Sequence, residues 1–149
     1  MKLKSLAVSP PLFLRDLSEA FKQREDADGE VLESDRVNVI VRQATEQDNI
    51  ARAELQAKRQ MQWGAGAVSE IVEDNPRQRM MYEAHWTLVE VRNLTWEDGS
   101  PVFPGDKPIY RMPFPEFEKI WGGLESYITL ALHKAVLKIN KDWDWSGEA

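Results

Sequence analysis

The sequence contains no cysteine. That removes disulfides, thiol nucleophiles and cysteine-ligated metals together. Histidine is almost as scarce, with only His85 and His133. No apolar run approaches the roughly 18–20 residues a membrane-spanning helix needs. The stretch MKLKSLAVSPPLFL is broken by Pro10 and Pro11 before a signal-peptide core can form. Basic residues are outnumbered, 19 Lys and Arg against 25 Asp and Glu, for a formal net charge of −6. Without a concentrated basic patch, neither nucleic acid nor a membrane is an expected partner, and the acidity reads as a solubility device. Glycine-loop and nucleophile-elbow signatures are missing too; Trp63-Gly64-Ala65-Gly66 echoes a glycine loop without its strand–turn–helix frame and reads as a linker.

What is present is ordinary for a globular chain: 149 residues, 42% hydrophobic and 30% charged. That length fits one domain, which buries roughly 68–70% of its unfolded-chain surface. The pattern predicts an α+β fold, a mostly helical single domain with a small antiparallel sheet and a C-terminal helix pair. An acidic loop near 25–35 and a short tail over 144–149 are the segments expected to be mobile or exposed.

In chain order, Leu3, Leu6 and Val8 suggest a short strand ended by the proline pair, and Leu14, Leu17 and Phe21 a short helix through Arg24. Asp26, Asp28 and Gly29 match part of a calcium loop. The pattern fails at its first position, Arg24, and its last, Asp35, which leaves a solvated acidic turn. RVNVIVRQ alternates Val37, Val39 and Val41 with Asn38, Ile40 and Arg42, the clearest strand in the chain; Ile40 implies that the second face is also partly covered. Thr45 to about Gln62 reads as a helix with a capping box at Thr45 and Asp48, i,i+4 pairs Asp48–Arg52 and Glu54–Lys58, and a thin apolar stripe of Ile50, Ala53, Ala57 and Met61. Val68 to Asp74 is a short strand or loose connection. Asn75-Pro76 opens a helix whose period, Met81, Ala84, Leu88 and Val91, carries it to Arg92. Asp98-Gly99 and Ser100-Pro101 mark a turn, with Trp96 expected to pair with Val102 or Phe103, and Ile109–Arg111 as a short strand. Pro115 starts a helix presenting Phe117, Ile120 and Trp121; Gly122-Gly123 breaks it. A last helix then runs to Ile139, with Ile128, Leu132 and Ala135 on one face.

Tested for chemistry, these residues yield little. His85 and His133 lack the short spacing of a zinc site, so hydrogen-bonded or solvent-facing histidines are expected; a small enzyme or metal protein using both, joined by Glu83 or Glu90, is the alternative. Glu116/Glu118 and Asp142/Asp144 sit at exposed positions. No cofactor or metal is implied. Trp86, Trp96, Trp121 and Trp143 have apolar neighbours and are expected in the core, while Trp145 is expected to be exposed.

Three stretches carry a resemblance: the strand and charged helix VNVIVRQATEQDNIARAEL, the segment YEAHWTLVEVRNLTWEDGSPVF, and the Phe–Trp helix pair FEKIWGGLESYITLALHKAVLKINKDW. Together, over about residues 36–143, they resemble the small tail assembly chaperones of long-tailed bacteriophages. The resemblance implies a non-enzymatic protein of the host cytoplasm that binds the tape measure protein and tail tube subunits during assembly and leaves the finished particle. A structural tail or neck adaptor kept in the virion is the alternative. Ile50, Met61, Trp63, Trp143 and Trp145 are the candidate partner contacts.

Overall fold

The computed structural model describes residues 1–2, 7–64 and 75–144, with the backbone alone over 56–64. Strand β2, Asn38–Val41, is the centre of a three-stranded antiparallel sheet of order β1-β2-β3. β1, Leu12–Phe13, sets Leu12 opposite Val39 and Phe13 opposite Asn38. Ahead of it, where Pro10 and Pro11 have no N–H to donate, Ser9 keeps the chain on β2: its N–H donates to the Val41 carbonyl (2.8 Å), and its hydroxyl accepts the Val41 N–H (3.0 Å). Val37, Val39 and Val41 are buried on one face, and Asn38 and Arg42 are buried on the other. The second face is therefore covered, as Ile40 implied. The expected strand at Leu3 and Leu6 lies outside the described residues; Val8 forms an isolated bridge with Arg42.

The first helical stretch divides in two, α1 at Leu14–Leu17 and α2 at Glu19–Glu25. Ser18 is extended between them, and its hydroxyl accepts the Phe21 N–H (3.2 Å), the preferred role of serine at a helix start. The acidic loop that follows is anchored by its own acids. Arg15 donates to Glu25 (3.1 Å) and Asp26 (2.7 Å), and Glu25 also accepts the Val37 N–H (2.9 Å). The Arg15 hydrogen bond holds the Asp26 carboxyl below the usual aspartate range.

Helix α3, Glu46–Gly64, starts at the expected capping box: the Thr45 N–H donates to Asp48 (2.9 Å) and the Asp48 N–H to the Thr45 hydroxyl (3.4 Å). It runs past Trp63; the rest of the supposed linker and the segment Val68 to Asp74 lie outside the described residues. Helix α4, Pro76–Thr87, is capped by Asn75, whose side-chain oxygen accepts from Arg77 and Gln78.

The helix expected through Arg92 ends five residues earlier. Leu88–Arg92 is strand β3, with Val91 opposite Val39 and Leu88 opposite Val41. A β-bulge at Val89 inserts one extra residue between those pairs, so Leu88 and Val91 share a face although three positions apart. Three is also a helical spacing, which is why the period pointed to a helix.

A hairpin over 94–102 follows, bridged Thr95 to Pro101, with Trp96 opposite Ser100 (N–H to carbonyl 2.9 Å) rather than Val102 or Phe103, and with Gly99 at φ 87°, where glycine is favoured. Val102 and Phe103 are buried, but Trp96 is 42% exposed, which removes it from the core. Ile109–Arg111 is a 3-10 turn, not a strand.

Helix α5, Phe114–Gly122, and helix α6, Ser126–Ile139, form the C-terminal pair, broken at Gly122-Gly123. Phe117 stacks on Trp121 (ring centroids 5.5 Å apart) and on Phe103 (6.1 Å). Ile128, Ala131, Leu132, Ala135 and Val136 seal α6 against α4, α1 and β2. Each large apolar side chain buried here stabilises the fold by about 1.5–3 kcal/mol.

Candidate functional site

Helix α3 joins the body by a different chemistry. Its buried or half-buried positions at the N-terminal end are Asp48, Ala51, Arg52 and Leu55, spaced as one helical face. Ile50 is 51% exposed and Ala53 is exposed. The thin apolar stripe therefore starts on the solvent side, and two charged residues, Asp48 and Arg52, point inward beside Ala51 and Leu55, while Glu46 and Glu54 stay exposed. Asp48 and Arg52 do not serve each other as an i,i+4 pair. Asp48 accepts from both terminal nitrogens of Arg42 (2.9 and 3.1 Å), and Arg52 donates to Glu83 on α4 (2.7 Å).

These contacts extend into a polar joint. Glu83, with its side chain 1% exposed, spends one carboxylate oxygen on Arg52 and the other on His133 of α6 (2.8 Å). The Arg52 guanidinium lies 5.5 Å from the Trp143 ring, and the Trp143 indole N–H donates to Asn49 (2.8 Å). Arg42 lies 4.6 Å from the Tyr110 ring. Asn140, at the end of α6, accepts from the Ala44 N–H (2.7 Å) and Gln43, and donates to the Arg42 and Val136 carbonyls (3.3 Å each). Buried charges need such partners, because a single one left alone carries its full desolvation cost.

The chemistry open to this joint is positional. Each Glu83 oxygen accepts one hydrogen bond from a basic side chain, and the carboxylate is out of contact with water. His85 is not drawn into it. Its Nε2–H donates to the Met112 carbonyl (2.7 Å), with the ring against Phe114 and Phe117 (centroids 5.3 and 5.0 Å). Burial pushes its pKa below the ordinary histidine value, opposed by that hydrogen bond. Glu90 pairs with Arg92 (3.1 Å). Both histidines are thus hydrogen-bonded, each to its own partner. Among the described residues no three His, Asp or Glu side chains converge as a metal site requires.

Of the candidate contacts, Ile50 is at the surface. Trp143 is 3% exposed, a core residue bound to Asn49, and is not available to a partner in this conformation. The side chains of Met61 and Trp63, and all of Trp145, lie outside the described residues. Asn140 and Trp96 were not singled out by the sequence as site residues. Glu83 was named as an acid that could join the two histidines, and it meets one of them, His133, while His85 turns to the Met112 carbonyl. Open clefts flank the sheet and the hairpin. One of about 810 Å³ runs between β3 and residues 101–109, and one of about 690 Å³ lies between the hairpin and the α5–α6 turn. No protein-family model, curated protein or solved structure matches the chain. No helix among the described residues is long and apolar enough to cross a membrane.

Proposed function

We propose that the protein is a non-enzymatic tail assembly chaperone of a long-tailed phage, acting in the host cytoplasm on the tape measure protein, the tail tube subunits, or both. The pattern resemblance over residues 36–143 supports this reading, and one structural observation carries it further. Helix α3 is fastened through the charged side chains Asp48 and Arg52 beside Ala51 and Leu55, and Ile50 and Ala53 are left outward. A surface helix normally turns its charged side chains to water and its large aliphatic ones inward. The mechanism is transient shielding: the outward face of α3 covers an apolar helix of the client, and the net charge of −6 keeps the complex soluble.

Co-expression with fragments of a tape measure protein tests it. The soluble yield of the fragment rises with the wild type and falls back with Ile50→Asp. Mass spectrometry of purified particles is the second arm. Absence from the particle agrees with a chaperone, whereas stoichiometric presence contradicts it and favours a tail or neck adaptor retained in the virion.

A further inference from the structure

The cleft between the hairpin and the α5–α6 turn combines an exposed tryptophan, aliphatic walls and a rim of one charge. Trp96 stands on the hairpin, 42% exposed, with its ring edge 4.0 Å from where a Cβ on Gly123 would lie. Leu94, Leu124, Tyr127 and Ile128 line the interior, and the charged lining residues are Glu97, Asp98 and Glu125, all acidic. Ser100 donates to Asp98 through its backbone N–H (2.8 Å) and its hydroxyl, and these bonds hold that carboxyl below the usual range, hence ionised. Glu97 has no ion pair among the described residues.

At the edge of this cleft a cation already meets an aromatic ring and a carboxylate. Arg24 of α2 lies 5.0 Å from the Tyr127 ring and 3.7 Å from Glu125, a guanidinium over an aromatic face beside a carboxylate. Trp96 next to Glu97 and Asp98 presents the same aromatic and carboxylate components. Indole is the strongest aromatic partner for a cation, and a long basic side chain has an aliphatic stem to lay along leucines while its head meets the carboxylates.

We propose that this cleft docks a lysine or arginine side chain of a partner protein, with the cation over Trp96 beside the carboxylate of Glu97, and with the Glu125 carboxylate shared between it and Arg24. The surface shares no residue with α3, so the inference goes beyond the reading above and stands without it. An anionic ligand is disfavoured by the rim, and a purely apolar one would leave the rim carboxylates facing it without gain.

The test uses the full chain labelled with ¹⁵N and two capped nine-residue peptides, one alternating leucine and arginine, the other leucine and glutamate. The Trp96 indole resonance is assigned by its loss in Trp96→Phe. The arginine peptide is expected to shift that resonance saturably, together with the amides of Leu124 and Tyr127, and more weakly as salt rises. Trp96→Ala weakens binding about tenfold, and Glu97→Gln with Glu125→Gln weakens it to a similar degree. All three positions are exposed, and unchanged Trp121 and Trp143 indole resonances verify the fold of each variant. Equal binding of the glutamate peptide, shifts confined to another surface, or undiminished binding by either variant overturns the proposal. A Trp96 shift that grows with protein concentration in the absence of peptide also overturns it, by assigning the cleft to a second copy of the chain.

Discussion

The body of the molecule and the root of α3 are held by opposite means. In the body, α4, α5, α6 and β2 meet through Leu88, Phe117, Leu132, Val136 and other fully buried apolar side chains, and the attraction is non-directional. At the root of α3, attachment runs through Arg42–Asp48, Arg52–Glu83 and Asn49–Trp143, each dependent on distance and angle. A dry core resists separation in proportion to its area. A polar joint contributes little net stability while intact, but costs several kcal/mol when one partner is removed. The difference makes α3 a separable element. Its attachment leaves Ile50 and Ala53 exposed rather than packed onto the core.

The largest test of that contrast is Phe117→Ala, in the three-ring stack with Phe103 and Trp121. It should cost about 3–5 kcal/mol, read as a loss of global stability in denaturant unfolding. Glu83→Ala removes the carboxylate that Arg52 and His133 share and should cost about 3 kcal/mol or slightly more. Replacing Glu83 and Arg52 together with leucine should recover most of that loss, because a buried pair removed as a unit leaves less uncompensated charge. A double variant as unstable as the single would mean that the joint is a net stabiliser, unlike the one described. His85 supplies a pH test of the body. Its folded pKa is depressed, so its contribution is present above the ordinary value of about 6.5. It is lost as pH falls from there through the folded value, since the unfolded chain takes up the proton first. Denaturant midpoints should drop between pH 7.5 and 5.5, and His85→Gln, which keeps a donor for the Met112 carbonyl, should flatten that drop. Asn75→Ala should cost about 1 kcal/mol through the lost cap of α4. Ile50→Ser is the smallest, within about 0.5 kcal/mol of wild type, since the side chain stands in water.

Much of the body was legible in the sequence, because its elements obey simple periods. The Val37-Val39-Val41 alternation, the Asn75-Pro76 start and the Gly122-Gly123 break all appear where local chemistry put them. The failures share a cause: tertiary partners chosen over local ones. Leu88 and Val91 kept a helical spacing only because a bulge at Val89 turned a three-residue step into one strand face. Asp48 and Arg52 looked like each other's partner, being one turn apart, yet each reached a different element. That reversal also flipped the inferred face of α3. Trp96 was assigned to the core by its size and neighbours, but the Thr95–Pro101 bridge set the hairpin register and left the ring at the surface. The acidic loop looked solvated because Arg15, ten positions before Glu25, lies beyond any local pattern.

Native-state hydrogen exchange at increasing denaturant tests the central claim most directly, by comparing amides of Ala51 and Arg52 on α3 with those of Leu132 and Ala135 on α6. A polar joint predicts that the α3 amides exchange through a smaller opening, at lower free energy and with weaker denaturant dependence, while α6 exchanges only with global unfolding. If all four converge on one free energy and one denaturant slope, α3 is part of the core, and the account of a separable, client-facing helix is wrong.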